Sequence, residues 1–574
     1  MKKFLIGLTT GLLLAGFALF VLFFAAMRLG ERRPTVQDGS TLVLRMEGVI
    51  PEQPAFEIPF PPFDQSAPMT MYESWDLLRK AAADSRVKAI LLMPHDLKIG
   101  WAKTQEIRDG LVEFKKSGKP VYAWLRSPGN KEYFIATAAD RIYVAPEDFL
   151  DLKGLRAELT FFRRTLDKLG IAVEIEHIGK YKDAGDSFTR TSISPETREV
   201  MSSILDGVYG SLLGAIAESR QKSVEEVRAM MDEGPFLSAD AAAKNLIDGR
   251  LYEDQVHQEL AKELGQSELK RLPHRTYLRV PARSLGLEGD RRIALVVGQG
   301  AIMRGDTQPG LFEGDGIYSE PFIRMLRQVR NNRNIQGVVV RVDSPGGDAL
   351  ASDDILRELR LLSRAKPTVI SMSDVAASGG YYIAMTGDPI LTYPNTITGS
   401  IGVIFGKVTL RGFYDKIGIQ KDILTRGRYA DIDSDYRPLT EEGRRKLRTS
   451  LEAIYEGFLE RVAEGRKKER DEVHALAQGR VWLGAQAEAN GLVDEIGGFA
   501  RAIALVKERA KIPADEQVRV DVYPAKRSLF DVWLSRPSEP TVDGRLRALL
   551  RDYDLGLWLR GGVMRVMPYK VLVY

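Results

Sequence analysis

The chain has 574 residues, 44% hydrophobic and 28% charged, with 82 basic against 78 acidic side chains and no cysteine. That length exceeds a single hydrophobic core, and the near balance of charge gives no reason to expect a nucleic-acid partner. The lack of cysteine excludes disulfides, thiolate catalysis and cysteine-ligated metal. His95, His177, His257, His274 and His474 lie far apart and form neither an HExxH nor a paired-ligand spacing, so no metal site is expected.

At the N-terminus, Lys2 and Lys3 precede an uncharged run of 24 residues, 4–27, "FLIGLTTGLLLAGFALFVLFFAAM". A bilayer core needs about 20 apolar residues, so this run is long enough to span one. It is long for a signal-peptide core, and no A-x-A cleavage site follows it. A retained anchor is expected in residues 1–39, with the N-terminus inside and the body outside. Arg28, Arg32 and Arg33 flank its far side, so loop charge alone does not set the orientation.

Beyond the anchor the chain reads as two copies of one unit. With residue n set beside residue n+248, "VKAILL" (87–92) meets "IQGVVV" (335–340), and "YFIA" (133–136) meets "YYIA" (381–384). "LDKLGI" (166–171) meets "YDKIGI" (414–419), and "GKYKDA" (179–184) meets "GRYADI" (427–432). The copies are assigned to 40–263 and 292–510. "TLVLRMEGVI" and "RIALVVGQGAIM" open them as β-rich segments, and "AILLM", "GVVVRVD", "KPVYAWL" and "KPTVISM" read as buried strands. Helical stretches such as "SDDILRELRLLSRA" and "EEGRRKLRTSLEAIYEGFLERVAEGRKK" lie between and after them. Strands alternating with helices predict α/β units with βαβ crossovers and largely parallel sheets. The basic, proline-containing segment 264–291 has no periodicity and reads as a linker. The tail 511–574 ends in "GLWLRGGVMRVMPYKVLVY", a terminal strand pattern without an evident role.

The copies differ where chemistry can reside. Ser378 of "DVAASGGYYIA" faces Asn130, Lys182 faces Ala430, and "DSPGG" (343–347) faces "HDLKI" (95–99). Ser378 follows the strand pattern "TVISM" and opens the helix pattern "GGYYIAM". Unpaired N–H groups at a helix start, with close approach allowed by Gly379 and Gly380, suit a developing oxyanion. The same pentapeptide also serves as a tight packing corner of small residues. Gly346 and Gly347 form a turn with exposed amides and are oxyanion-hole candidates, or an ordinary strand-to-helix turn. A serine nucleophile needs a base. A lysine base near neutrality must lose its proton about three pH units below its ordinary 10.4, a bias of roughly 4 kcal/mol that burial and a neighbouring cation supply. Lys180 and Lys182 bracket Tyr181, and in an extended segment both would point to one side. Lys180 faces Arg428 in the other copy, whereas Lys182 has no basic counterpart and is preferred. Ser400 of "TGSIGV" (398–403) can hydrogen-bond the neutral amine and orient its lone pair, or is an ordinary serine of a glycine-flanked turn.

Together "DSPGG", "SDVAASGGYYIA", "TGSIGV" and "GKYKDA" resemble the signal peptide peptidase A (protease IV) family in its long, duplicated form, over roughly residues 40–510 and the anchor before them. The resemblance implies a serine peptidase of two tandem Clp-peptidase/crotonase-like (ββα superhelix) repeats after an N-terminal transmembrane helix. It implies Ser378 as nucleophile, Lys182 as general base and Ser400 in contact with that lysine. It also implies an oxyanion hole from Gly346 and Gly347, to which Gly379 is added, and no metal or nucleotide cofactor. Further implications are cleaved signal peptides and other hydrophobic peptides as substrates, a homo-oligomeric bowl (a tetramer) with inward-facing sites, and a single-pass place in the bacterial inner membrane with the body on the periplasmic side. Two rivals remain on sequence alone: an acyl-CoA enzyme on the same scaffold and a catalytically inactive membrane scaffold.

Overall fold

The computed structural model describes residues 34–53, 68–305, 316–525 and 562–567, with 56–57, 527–528 and scattered positions between 7 and 21. Most of the expected anchor, 4–27, lies outside the described residues, as do 529–561 and 568–574 of the tail.

The sequence offset of 248 reappears as an offset between elements. Strand Val87–Leu97 matches Ile335–Ser344, Val121–Leu125 matches the start of Thr368–Ala377, and helix Arg163–Leu169 matches Arg411–Ile417. The long helices Pro195–Arg220 and Glu441–Arg466 begin and end alike. Ser194 and Thr440 accept from the backbone N–H three residues on, and Gln221 and Lys467 close them in the left-handed region. Each such N-cap contributes about 1 kcal/mol.

The first copy builds a six-stranded parallel sheet in the order Arg271–Pro273, Ser40–Gly48, Val87–Leu97, Val121–Leu125, Arg141–Val144, Gly249–Arg250. The second builds the order Val481–Leu483, Ile397–Gly399, Thr368–Ala377, Ile335–Ser344, Arg292–Gln299, Arg519–Tyr523, parallel except at Val481–Leu483. The central strands are continuous apolar runs because helices or the other copy cover both faces. One apolar core runs through both copies and joins Leu92 and Leu125 to Val339, Val369 and Phe499. Among the described residues one helix, Pro195–Arg220, is long and apolar enough to cross a membrane, and half of it is buried inside the chain. It is a core helix, with Val200, Ile204, Val208, Leu212 and Ile216 on its buried face.

The joining segment 264–291, read from sequence as a linker, carries regular structure. Arg271–Pro273 pairs with Thr41–Val43 at the edge of the first sheet, and a short helix, His274–Leu278, follows. Three residues of strand carry no period that a sequence could display. The tail also contributes structure: Arg519–Tyr523 edges the second sheet, and Gly562–Val566 is a strand.

A third sheet joins the copies, in the order Gly316–Tyr318, Ala301–Met303, Gly346–Asp348, Gly562–Val566, Val403–Thr409, Ala172–Ile178. Its last pair is antiparallel over seven consecutive residues, from Val403 opposite Ile178 to Thr409 opposite Ala172. Arg444 on the second copy's long helix reinforces it by pairing with Glu174 and Glu176.

Candidate active site

Strand Thr368–Ala377 ends in a sharp turn, and helix Gly379–Ile383 starts one residue later. Ser378 occupies that turn with φ 54° and ψ −112°, a backbone state costing a non-glycine residue about 1–3 kcal/mol. Its N–H donates to Gly399 O and its carbonyl accepts from Tyr382 N, both at 2.8 Å, so the strain is held from both sides. The hydroxyl is thereby fixed inside a site with no solvent exposure.

Lys182 reaches the same site from the first copy. The interlocked strands Ala172–Ile178 and Val403–Thr409 lead directly into the segments that carry Lys182 and Ser400. Lys182 Nζ lies 2.8 Å from Ser378 Oγ, 2.8 Å from Ser400 Oγ and 2.9 Å from Ser400 O. A neutral amine has two N–H donors and one lone pair. When the amine is uncharged, the two oxygens of Ser400 can take its donors and leave the lone pair for the Ser378 hydroxyl. All three residues are fully buried. Burial pushes the Lys182 ammonium far below its ordinary range; Asp183 opposes that shift and Arg565 adds to it.

The geometry also separates the two candidate lysines. Residues 179–182 form a turn, not the extended segment expected, with Tyr181 N donating to Gln478 O at 2.9 Å and Lys182 N donating to Gly179 O at 3.1 Å. The lysines therefore diverge. Lys180 is exposed and lies 4.6 Å from the centre of the Tyr181 ring, outside the site. Gly479, at φ 81°, lets the second copy back directly onto Lys182; a Cβ there would sit 2.5 Å from Lys182 N.

The "DSPGG" turn abuts Ser378. Gly346 and Gly347 open the strand Gly346–Asp348, and a Cβ on Gly346 would lie 2.6 Å from Gly379 N. In this structure the Gly346 amide donates to Ser344 Oγ at 3.2 Å. The sequence-nominated residues Ser378, Lys182, Ser400, Gly346, Gly347 and Gly379 thus converge on one buried site.

Three features escaped the sequence reading. Asp183, beside the lysine, accepts from Thr197 Oγ1 and is pushed up to about 7, chiefly by burial. Arg565, from the tail, is buried in the site. A buried charge network ties the copies together beneath the turns. Arg341 bonds Glu52 through Nε at 3.1 Å and Nη2 at 3.0 Å, Glu106 at 2.6 Å, and Ser371 and Ser373 at 3.0 and 3.1 Å. Lys103 Nζ donates to Asp343 at 2.8 Å, and the Gly100 and Lys103 amides donate to Asp374 at 2.7 and 2.9 Å. Burial alone would raise Glu52, yet Arg341 and Lys103 hold it below the ordinary carboxylate range; burial raises Glu106. Asp343 and Asp374 lie just before the "SPGG" turn and Ser378, so first-copy groups anchor the roots of both.

Residues 113–267 and 360–513 match the model of Peptidase family S49. The chain belongs to that family. It is 36% identical over 513 residues to a chloroplastic serine protease SPPA of Arabidopsis thaliana, covering 88% of this chain and 73% of that protein. Against Protease 4 of Salmonella typhi the identity is 32% over 502 residues, covering 84% and 78%. Against Protease 4 of Haemophilus influenzae it is 31% over 440 residues, covering 74% and 71%. The S49 chain is a serine peptidase of the signal peptide peptidase A group, and the acyl-CoA and inactive-scaffold alternatives give way to that conclusion.

Proposed function

We propose that this S49 peptidase is a membrane-anchored endopeptidase with a Ser–Lys dyad, degrading cleaved signal peptides and other hydrophobic peptides. The observation that carries the reading is the 2.8 Å contact between Lys182 Nζ and Ser378 Oγ in a site with no solvent exposure. The uncharged Lys182 amine takes the Ser378 proton as Oγ attacks the peptide carbonyl. Amides of Gly347 and Gly379, with Gly346, hold the oxyanion. The ammonium then gives its proton to the leaving amine, and a water activated by the same amine releases the acyl group. Ser400 keeps the lone pair aimed throughout, and desolvation keeps the amine uncharged between turnovers.

Each repeat takes the Clp-peptidase/crotonase-like arrangement, a reading supported by the recurring strand–strand–helix order. Residues 4–27 tether the chain as a single pass in a bacterial inner membrane with the body on the periplasmic side, close to where signal peptides are released. The chain assembles as a homo-oligomer. Exposed Leu169, Ile417, Ile419 and Leu424, at and just beyond the ends of repeat-equivalent helices, support a further contact there.

The test is hydrolysis of a chromogenic apolar peptide by Ser378→Ala, Lys182→Ala and Lys180→Ala. The first two lose activity by about 10³-fold or more and the third stays within about twofold of wild type. Activity retained in Lys182→Ala and lost in Lys180→Ala would overturn the assignment.

A further inference from the structure

Residues 477–480 turn from helix Arg470–Leu476 into strand Val481–Leu483. The turn grips both segments that serve the base. Gln478 O accepts from Tyr181 N at 2.9 Å, Gly479 N donates to Ile401 O at 2.7 Å, and Arg480 O accepts from Ser400 N at 2.7 Å. Gly479 lies flat on Lys182: a Cβ there would fall 2.5 to 2.6 Å from its N, Cα and Cβ atoms. Arg480 Nη1 donates to the Tyr181 hydroxyl at 3.2 Å, and the guanidinium carbon is 5.1 Å from the Tyr181 ring centre. Lys182 and Ser400 thus share one reference in three consecutive residues.

The turn has its own support. Gln478 sits at φ 56°, a left-handed state that a non-glycine residue keeps only when its surroundings fix it. Its N–H donates to the Tyr455 hydroxyl at 3.3 Å, and that hydroxyl lies 3.0 Å from His474 Nδ1. Tyr455 is buried on the long helix Glu441–Arg466. The first copy is built differently. Helix Arg470–Leu476 has 7 residues, whereas its counterpart Val224–Glu233 has 10 and runs on through the positions where the second copy turns. Counted from the starts of the paired helices, Tyr209 and Arg228 stand where Tyr455 and His474 do, with the Arg228 guanidinium carbon 5.4 Å from the Tyr209 ring centre. Of the two copies, the one that meets Lys182 has the turn.

We propose that Gln478, Gly479 and Arg480 form a positioning bracket that sets the Lys182 amine against Ser400 and Ser378 and keeps water from it, and that Tyr455, braced by His474, holds the bracket in place. This rests on the Ser–Lys reading of the site. The bracket acts through backbone atoms behind the base, so its loss falls on proton transfer and not on peptide binding. A loosened bracket admits water, and a solvated amine takes a proton more readily. The charges around the amine are Asp183 beside it, Arg565 from the tail and the Arg480–Glu199 pair at the turn.

The test is hydrolysis of a chromogenic apolar peptide from pH 5 to 10 by the full-length chain with Tyr455→Phe and Gly479→Ala, beside denaturant midpoints. Tyr455→Phe removes one hydroxyl, keeps the ring and changes none of those charges. It is expected to lower kcat about tenfold with KM within about twofold of wild type. It is also expected to raise the acid limb of kcat/KM by about half a pH unit or more. Gly479→Ala, which drives a Cβ onto the Lys182 backbone, is expected to lower kcat by about 100-fold or more. If that variant does not fold, Tyr455→Phe decides alone. An acid limb in Tyr455→Phe that stays put or falls would overturn the bracket, as would a raised KM at unchanged kcat. Labelling with a small fluorophosphonate separates the levels. A labelled, active wild type beside an indifferent Tyr455→Phe defeats this inference alone, whereas a wild type with neither label nor hydrolysis defeats the Ser–Lys reading beneath it.

Discussion

Under the proposed Ser–Lys mechanism, Ser400→Ala isolates the group that aims the base. Lys182 Nζ lies 2.8 and 2.9 Å from the two oxygens of Ser400, which take both N–H groups when the amine is uncharged. Removing Oγ leaves one N–H unpaired where no solvent reaches. An unsatisfied buried donor costs about 1–3 kcal/mol, and each 1.36 kcal/mol is tenfold in rate, so kcat should fall roughly 5- to 150-fold. KM should barely change, because the loss falls on proton transfer rather than on peptide binding. The acid limb of the kcat/KM profile should also move. Ser400 Oγ accepts more strongly from the ammonium than from the amine, so its loss disfavours the charged form and shifts that limb to lower pH. Ser400 has φ 52°, so Ser400→Gly relieves strain by about 1 kcal/mol while removing the same hydroxyl. Stopped-time hydrolysis of a chromogenic peptide from pH 5 to 10, with denaturant midpoints for both variants, measures all three effects. The reasoning fails if kcat in both variants stays within about twofold of wild type, or if the acid limb rises.

Arg341→Met should destabilise the chain by about 3–5 kcal/mol at pH 7.5, because Glu52 and Glu106 lose the guanidinium between them. Without it, burial and mutual repulsion raise the folded-state pKa values of both carboxylates above their unfolded values. The penalty is then present above the unfolded values and relieved as pH falls through the raised ones, so the denaturant-midpoint gap to wild type should narrow at pH 5; a gap that widens refutes the network's role. Ser378→Gly should abolish hydrolysis yet raise stability by about 1 kcal/mol, since φ 54° and ψ −112° strain the serine; a lower melting point would show that the turn is not strained.

Much of the site was legible because its signals are local. Ser378, Ser400 and the glycine turns sit in short strand–turn patterns, and Lys182 stood out as a cation absent from the sister copy. The choice over Lys180 needed the turn that Gln478 O imposes on Tyr181 N, a contact between distant segments. The expectation that both lysines share a side failed for that reason. Glu52, Lys103, Glu106 and Arg341 look like surface charges until folding stacks three separate segments. Arg565 was illegible for a related reason: one arginine in a short apolar stretch gives no sign of the sheet it will join. The strand Arg271–Pro273 was lost in an apparent linker through brevity alone.

The seven-residue pairing of Ala172–Ile178 with Val403–Thr409 makes the distance between the Lys182 and Ser400 segments a quantised property. Side chains alternate along a strand, so the smallest slip that keeps the same faces inward is two residues, about 6.8 Å. No intermediate spacing then keeps the Lys182 amine against Ser400. Damage to this seam should therefore divide molecules into fully competent and fully silent populations instead of slowing every molecule a little.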